Sequence, residues 1–247
     1  MPIVIFEHHP HETSAELGAT LLRHNHRLRV VKLHAGAAVP PDLDDVDGII
    51  SMGGPMNVED AGQHPWMEPE LAYLKRAHAA GVPIVGVCLG AQLIAAALGG
   101  EVQAMAAPEI GWHAIKLAFP GTIDPILQGI AWDTMQFHVH GQEVTKLPPE
   151  GVPLAGSKAC KMQAFKVGLS TYAFQFHFEW QRDTLQKILD LDPWVRQHAD
   201  VAAIAAQTPE HYDGYRRRGD RLCENIANLL MPIDKPASKR RVAAATA

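Results

Sequence analysis

The chain has 247 residues, of which 47% are hydrophobic and 20% are charged, and its net charge is −5. This length suits one α/β domain with a sizeable core. The mild negative charge argues against nucleic acid or a membrane surface as a partner, and no apolar run approaches the length of a membrane span. The three cysteines are far apart and odd in number, which is typical of a reducing cytosol rather than of a disulfide framework. We therefore expect a cytoplasmic protein.

Strands and helices are predicted to alternate along the first hundred residues. Short apolar runs predict the strands, and apolar side chains at wider spacing predict the helices between them. The predicted strands are residues 3–6, 28–33, 48–52 and 83–87, and the predicted helices are residues 13–24, 65–80 and 91–98. This order predicts a mainly parallel sheet flanked by helices, in which ligands bind beyond the carboxyl ends of the strands.

After Glu101 the pattern changes to shorter segments with alternating polarity. The predicted strands are residues 110–118, 135–140, 152–157, 162–167 and 171–176, and the predicted helices are residues 182–191, 194–206 and 209–230. These strands predict a small antiparallel flank that returns to the main sheet. We expect one α/β domain over residues 1–232, including the C-terminal helices over about 182–231, and a disordered tail over residues 233–247.

A cysteine stands at the predicted turn between the fourth strand and the following helix. In the segment Gly-Val-Cys-Leu-Gly, residues 86–90, small residues lie two positions before and two positions after Cys88. A nucleophile elbow requires this arrangement, because its backbone is strained and its helix packs close to the strand. A thiol at a helix N-terminus also faces unpaired N–H groups and the positive end of the helix dipole, which favour the thiolate. The spacing predicts that Cys88 is a nucleophile.

A histidine and a carboxylate two residues apart could serve this nucleophile as base and orienting group. His177 and Glu179 follow a strand-like run of alternating aromatic and polar residues, so on an extended backbone they point to the same side. A carboxylate in that position can fix the tautomer of the imidazole and support its charged form. Cys88, His177 and Glu179 are therefore predicted to form a catalytic triad. The alternative is a buried structural cysteine and an unrelated surface histidine.

Three segments resemble the motifs of class I glutamine amidotransferases, in the order of that family. Residues 86–92 are similar to its nucleophile motif, residues 175–179 to its second motif, and the Gly-Gly-Pro of residues 53–55 to its oxyanion loop. Residues 51–58 and 109–112 are most similar to the stand-alone, GMP-synthase-like branch. The resemblance runs from about residue 2 to residue 230, and it implies that family's flavodoxin-like architecture. One departure is Phe178, because the family usually has proline between the histidine and the glutamate.

The resemblance also implies the roles of residues around the triad. The N–H groups of Gly54 and Leu89 would stabilise the oxyanion, and Gly53, Gln92 and His140 would contribute to the glutamine pocket. From the residues alone, Gly53 and Gly54 could form only a tight turn, and Gln92 could be exposed. A structural role for His140, and for the neighbouring His138, stays open.

No cofactor or metal is predicted. The spacing of His8, His9 and His11 matches no common zinc site, and these residues are expected at a loop rim above the pocket. The sequence contains neither a G-x-x-x-x-G-K-[ST] phosphate loop nor a G-x-G-x-x-G after the first strand. It also lacks the Ser-Gly-Gly nucleotide loop of GMP synthetases. Cys160 and Cys223 lie in no motif and are expected to be inert.

The resemblance implies hydrolysis of the glutamine side-chain amide to glutamate and ammonia through a γ-glutamyl thioester. One alternative keeps this chemistry but acts on γ-glutamyl conjugates, as a γ-glutamyl hydrolase or peptidase. A second alternative is a non-catalytic, regulatory relative. The substrate would be a small molecule, and a synthetase subunit is a candidate partner that would use the ammonia. The acceptor of the ammonia and the oligomeric state are left open by the sequence.

Overall fold

The structure is a computed structural model, and it describes residues 1–233. The strands are β1 (Pro2–Glu7), β2 (Arg27–Lys32), β3 (Gly48–Ser51), β4 (Ile84–Val87), β5 (Glu101–Leu117), β6 (Asp133–Lys146), β7 (Gly151–Gly156), β8 (Ala164–Val167) and β9 (Thr171–Phe174). The helices are α1 (Ala15–Arg23), α2 (Met67–Ala79), α3 (Leu89–Ala97), α4 (Phe119–Thr122), α5 (Arg182–Leu191), α6 (Pro193–His198) and α7 (Val201–Asn225), and a π-helical turn, Ile226–Leu230, follows α7.

Within these residues the nine strands form one mixed sheet, in the order β2-β1-β3-β4-β9-β8-β7-β5-β6. The strands β2, β1, β3, β4 and β9 are parallel to one another. β9 also pairs antiparallel with β8, and β8 leads through β7 to the antiparallel pair of β5 and β6. The predicted fold class, a mainly parallel sheet flanked by helices with an antiparallel flank, is confirmed.

Apolar side chains on both faces of the parallel strands form the core. Ile3 and Ile5 of β1 belong to one hydrophobic cluster with Leu17 of α1 and Leu222 of α7. The intervening residues of β1 point to the opposite face, where Val4 and Phe6 belong to a second cluster that α2 and α3 cover. Burial of one such side chain stabilises the fold by roughly 1.5–3 kcal/mol. The two-sided burial fixes the register of β1, and with it the position of the loop that follows.

The carboxyl ends of four adjacent parallel strands meet at one edge of the sheet. β1 ends at Glu7, β3 at Ser51, β4 at Val87 and β9 at Phe174. The segments that follow these ends carry His8, the Gly-Gly loop, Cys88 and His177, in that spatial order across the sheet. Four segments that are far apart in the sequence are thus brought to one edge, as expected for a ligand site in a parallel sheet.

The antiparallel flank is longer than predicted. β5 and β6 pair from Glu101 opposite Lys146 to Lys116 opposite Asp133, with an irregularity between Ala104 and Glu109. The prediction missed the outer part of both strands because residues 101–107 are mostly exposed, so their polarity does not alternate. Backbone pairing, which has no sequence pattern of its own, extends these strands.

The predicted break before Pro209 is wrong. One helix, α7, runs through this residue, and the break lies instead between His198 and Val201. There the side chain of Asp200 caps α7 by accepting a hydrogen bond from the N–H of Ala203 at 3.0 Å. The buried side chains of Ile204, Tyr215 and Leu222 lie along one face of α7. Their packing outweighs the cost of an interior proline.

No helix within residues 1–233 is long and apolar enough to cross a bilayer. The predicted tail begins at Ile233, and its remaining residues, 234–247, lie outside the described part of the chain. The assignment of a single domain to residues 1–232 stays a prediction.

Replacing Pro209 with Ala is expected to raise the free energy of unfolding by about 1–2 kcal/mol, because Pro209 is exposed and alanine restores the missing helical N–H. Urea unfolding measures the change. The control is Pro193→Ala, since Pro193 opens α6 at a position where the N–H has no helical acceptor. An equal gain in both variants would contradict the explanation.

Candidate active site

Cys88 lies at a strained turn between β4 and α3. Its φ of 52° and ψ of −109° place it in a region that non-glycine residues rarely adopt, at a cost of about 1–3 kcal/mol. The backbone N–H of Cys88 donates to the carbonyl of Phe174 in β9 at 2.8 Å, which holds the turn against the neighbouring strand. The predicted elbow is present, and its side chain lies at the carboxyl edge of the sheet.

Two glycines make this turn sterically possible. A Cβ atom added at Gly86 would lie 2.5 Å from the carbonyl oxygen of Gly90 in the first turn of α3. A Cβ atom at Gly90 would overlap the carbonyl oxygen of Ser51 in β3. The N–H of Gly90 donates to the carbonyl of Met52 at 3.0 Å, so α3 also binds the residue that directly precedes the Gly-Gly loop. Only glycine at both positions allows α3 to pack this closely.

His177 and Glu179 are fully buried beside Cys88. The N–H of His177 donates to the carbonyl of Phe137 at 2.9 Å, and its Nδ1 lies 2.8 Å from Oε1 of Glu179. The other carboxylate oxygen of Glu179 accepts the N–H of Phe178 at 2.9 Å. Proline at position 178 could not donate this bond, so the departure from the family motif gives Glu179 an additional hydrogen bond.

The free nitrogen of His177 faces the thiol. Nε2 of His177 is buried and has no hydrogen-bond partner within residues 1–233, while the thiol of Cys88 donates to the carbonyl of Val139 at 3.6 Å. The His177 ring stacks on Trp180 with ring centroids 3.5 Å apart. The imidazole is thus held from two sides, and the nitrogen turned away from Glu179 stays available for proton transfer.

Burial and charge act in opposite directions on both groups. Burial raises the pKa of the Cys88 thiol, while His177 and the N–H of Leu89 act in the opposite direction by smaller amounts. Burial by itself would lower the pKa of His177, but the charge of Glu179, the nearby Cys88 sulfur and the bond between Nδ1 and Glu179 raise it to about 10. On balance the pKa of Cys88 is raised, so the helix N-terminus does not by itself favour the thiolate that the sequence predicts, and proton transfer to His177 is needed to form it.

The Gly-Gly loop lies against the other predicted site residues. A Cβ atom added at Gly54 would lie 2.9 Å from Cβ of His8 and 3.0 Å from Cδ2 of Leu89. A Cβ atom at Gly53 would lie 3.0 Å from Cε1 of His177 and would overlap Oε2 of Glu12. The structure therefore places Gly53 beside the imidazole and Gly54 beside Leu89.

Gln92 and His140 lie on the opposite flank of Cys88 and are buried. The side-chain amide of Gln92 donates to Oε1 of Gln175 at 3.1 Å. Nδ1 of His140 donates to the carbonyl of Gln142 at 2.9 Å, and its Nε2 faces Glu109. The His140 side chain thus points into a polar network, and the backbone of this strand, through Val139, is the part that contacts the thiol.

The donor atoms of Glu109, His138 and His140 all lie within 4.8 Å of one another. Burial lowers the pKa of His138 well below its usual range, so this ring is neutral. The carboxylate of Glu109 already accepts hydrogen bonds from Ser157 at 2.7 Å and from Gln163 at 2.5 Å. Its oxygens are therefore occupied, and we assign this cluster a structural role in the strand that carries Val139.

Sequence reasoning missed two residues of the loop after β1. His8 was expected at a loop rim but is fully buried, because it lies directly after the buried strand β1; of the three histidines only His11 is exposed and His9 is half-buried. Glu12 is also buried and lies beside Gly53 and His177. Their position at the carboxyl end of a parallel strand could have indicated both.

Glu12 is an ionisable group in a poor environment for charge. Burial raises the pKa of its carboxyl to about 7, an effect that His177 opposes and Glu179 reinforces. The carboxyl group of Glu12, beside His177, therefore titrates near neutral pH.

Comparisons with known proteins agree with this geometry. Residues 11–190 match the family model for class I glutamine amidotransferases, and the chain belongs to this family. It is 29% identical to a glutamine amidotransferase-like protein, YfeJ, of Salmonella typhimurium, over 64% of this chain and 67% of that one. It is 34% identical to a glutamine-hydrolysing GMP synthase subunit of Sulfolobus acidocaldarius, over 62% of this chain and 79% of that one.

Solved structures show the same fold. A glutamine amidotransferase from Methylobacillus flagellatus superposes with a TM-score of 0.81 at 26% identity, covering 91% of this chain and 93% of that one. A glutamine amidotransferase from Thermotoga maritima, at 18% identity, gives a TM-score of 0.80 over 92% of this chain and 97% of that one, and shows the fold alone. As a member of this family, the chain is a glutamine-hydrolysing enzyme.

Cys88 is expected to be the first of the three thiols to react with a glutamine-like electrophile. Burial raises the pKa of Cys160 to about 12 and also raises that of Cys223, and no histidine within the described residues 1–233 acts on either thiol. Mass spectrometry of the native protein after brief treatment locates the adduct. Modification of Cys160 or Cys223 ahead of Cys88 would exclude Cys88 as the nucleophile.

Glu12→Gln is expected to stabilise the protein at high pH. The pKa of Glu12 is higher in the folded chain, at about 7, than its ordinary value of 4.5, so the folded state binds more protons and wild-type stability falls as pH rises through this window. Relative to the variant, the wild type should lose up to about 3 kcal/mol between pH 4 and pH 8. Urea unfolding at several pH values measures this, with Glu68→Gln, at an exposed site, as control. If the difference in free energy of unfolding between wild type and Glu12→Gln does not change with pH, the raised pKa of Glu12 is refuted.

Proposed function

We propose that this enzyme hydrolyses the side-chain amide of glutamine to glutamate and ammonia through a γ-glutamyl thioester on Cys88. The observation that carries the proposal is the strained Cys88 turn beside a buried imidazole, whose second nitrogen bonds Glu179 at 2.8 Å. A nucleophile, a base and an orienting carboxylate in this relation are the parts that acyl transfer requires.

The first step forms the covalent bond. Cys88 and His177 share one proton; when it is on Nε2 of His177, the thiolate attacks the amide carbon of glutamine, and the carbonyl π electrons move to oxygen. The buried charge of Glu179 favours the proton on His177, and hence a thiolate–imidazolium pair. The N–H groups of Leu89 and Gly54 would stabilise the negative oxygen; the N–H of Leu89 also acts to lower the pKa of the Cys88 thiol.

The second and third steps release the products. His177 returns its proton to the amide nitrogen, the carbon–nitrogen bond breaks, and ammonia leaves a thioester on Cys88. His177 then accepts a proton from water, the resulting hydroxide attacks the thioester carbon, and the thiolate leaves with the proton from His177. Glu179 keeps its negative charge throughout and holds His177 in the tautomer that leaves Nε2 free.

The rest of the substrate would lie on the flank of Gln92 and His140. The strand that carries His140 contacts the thiol through Val139, so its backbone is placed to line the pocket. Gln92 is buried and donates to the carbonyl of Gln142, which links α3 to the same strand. We propose that the α-amino and α-carboxylate end of glutamine lies on this side of Cys88. The departing amide nitrogen would lie on the other side, next to Gly53.

The substrate class is tested by following glutamate release from glutamine, glutathione and other γ-glutamyl compounds under steady-state conditions. A preference for glutamine supports the proposal. A preference for conjugates with large leaving groups would assign the same triad to a γ-glutamyl hydrolase or peptidase. Release from none of them would contradict the proposal.

A partner that consumes the ammonia is tested separately. Some relatives are named as subunits of GMP synthase, which makes a synthetase the partner to look for. Purification from native extract, with glutaminase activity measured before and after any bound protein is removed, decides between a free-standing enzyme and one component of a larger complex.

Glu179→Gln is expected to retain more activity than His177→Ala, because Glu179 orients the base while His177 transfers the protons. The loss in Glu179→Gln can still reach about 10⁴-fold in kcat, as for orienting residues in other triads. Steady-state kinetics on glutamine measure both. Glu224→Gln, which disrupts the surface pair of His24 and Glu224, is the control. Equal activity of wild type and both site variants would remove the pair from the mechanism.

A further inference from the structure

His8 forms a buried ion pair beneath the oxyanion loop. Its Nε2 lies 2.8 Å from Oε2 of Glu70, in the first turn of α2, and both side chains are completely buried. The other oxygen of Glu70 accepts a hydrogen bond from Ser51 at 2.7 Å. The His8 ring also packs against Trp66, with ring centroids 4.8 Å apart. His8 is therefore fixed by neighbours outside the loop.

The remaining nitrogen of His8 contacts the loop itself. Nδ1 lies 3.0 Å from the carbonyl oxygen of Met52 and 3.3 Å from that of Gly53. A carbonyl oxygen can only accept a hydrogen bond, so Nδ1 carries a proton and donates it. Oε2 of Glu70 lies 2.8 Å from Nε2, and the other oxygen of this carboxylate accepts from Ser51, so Nε2 also donates and we assign His8 as an imidazolium. Burial alone would lower the pKa of His8, but Glu70 and the loop carbonyls raise it.

The hydrogen bond to Gly53 determines where the N–H of Gly54 points. The carbonyl of Gly53 and the N–H of Gly54 belong to one planar peptide unit, and residues 1–233 contain no cis peptide bond. In a trans peptide the two groups point in opposite directions. His8 holds the oxygen on the buried side, so the N–H lies on the other side, and no backbone acceptor within residues 1–233 receives it.

Two consecutive glycines give this peptide unusual rotational freedom, because neither residue has a Cβ atom that restricts φ and ψ. Rotation of the unit would replace the donor at the oxyanion by a carbonyl oxygen, which repels negative charge. The hydrogen bond from His8 to the Gly53 carbonyl therefore keeps the N–H of Gly54, rather than a carbonyl oxygen, directed at the oxyanion. The positive charge of His8 also polarises the peptide in the direction that strengthens the N–H as a donor.

We propose that His8 is a positioning residue that holds the Gly53–Gly54 peptide in the orientation that binds the oxyanion, so that turnover needs no partner protein. This inference rests on the proposed hydrolysis of glutamine at Cys88. It predicts that the isolated chain is fully active, because the donor pair of Gly54 and Leu89 is complete before substrate binds.

Two substitutions separate the two bonds of His8. The amide of His8→Asn can replace Nδ1 and donate to the loop carbonyls, while the amide of His8→Gln can replace Nε2 and bond Glu70. We expect His8→Gln to lose about 10²-fold in kcat with little change in KM, and His8→Asn to stay within about fivefold of wild type. If His8 only stabilises the fold through Glu70, the order is reversed. The same two substitutions at His78, whose Nδ1 bonds Thr171 at 2.8 Å, are the control.

Two reagents distinguish the oxyanion site from the nucleophile. The sulfur of Cys88 adds to the aldehyde carbon of glutamate γ-semialdehyde, and the former aldehyde oxygen then occupies the oxyanion position. Iodoacetamide alkylates the sulfur with loss of iodide and forms no oxyanion. In His8→Gln the affinity for the semialdehyde should fall by about the same factor as kcat, while alkylation stays within about threefold of wild type. Equal losses with both reagents would overturn the proposal.

Two measurements on the wild-type protein keep the proposal testable where a variant does not fold. Nitrogen-15 NMR of histidine-labelled protein should show both ring nitrogens of His8 protonated at neutral pH, and an unprotonated Nδ1 would overturn the proposal. The purified chain should turn over glutamine at a rate that native extract does not increase, and a dependence on extract would also overturn it. Wild type that binds the semialdehyde but releases no glutamate would count against the proposed function, while the comparison with His8→Gln would still test His8.

Discussion

The close approach of helix α3 to strands β3 and β4 is the constraint on which the rest of the site depends. It requires glycine at positions 86 and 90, because any side chain there would meet backbone of the neighbouring element. In return, the first residue before the helix must adopt a strained backbone, and that residue is Cys88. A strained backbone of this kind persists only where several neighbouring contacts hold it in place. Here the bond to Phe174 and the bond between Gly90 and Met52 supply that support.

Two buried histidine–glutamate pairs then lie on either side of the nucleophile. His177 and Glu179 come from the segment after β9, and His8 and Glu70 from the segment after β1 and from α2. Buried charges are costly unless each is paired and hydrogen-bonded, and all four groups satisfy this condition through short bonds. Both pairs place an imidazole towards the centre of the site, where the proposed mechanism has the thiolate and then the oxyanion carry negative charge. Glu12 lies beside His177 and has no such ion pair within residues 1–233, so its carboxyl stays neutral up to a higher pH.

The C-terminal helix α7 lies beyond the residues that match the family model, yet it contributes to the geometry around His177. Tyr215 and Arg216 donate hydrogen bonds to the carbonyl of Trp180 at 3.2 Å and 3.0 Å, and the ring of Trp180 stacks on the imidazole. A Cβ atom at Gly219 would overlap the carbonyl of Phe178, so α7 packs directly on the segment that carries the base. Helix α7 thus supports the segment that carries His177 and Glu179, as the proposed partner-independent activity requires.

The sequence by itself determined the parallel half of the fold, because strands buried on both faces and closed by glycine turns leave a clear local pattern. It also indicated Cys88, His177 and Glu179, since an elbow and a His-x-Glu pair are features of neighbouring residues. The tertiary structure alone decided the length of β5 and β6 and the continuity of α7 through Pro209, because cross-strand pairing and packing of a distant face set both. The same holds for His8 and Glu12. Their chemistry arises from contacts with Gly53, Glu70 and His177, and only the adjacency of β1, β3, β4 and β9 in the sheet brings those residues together.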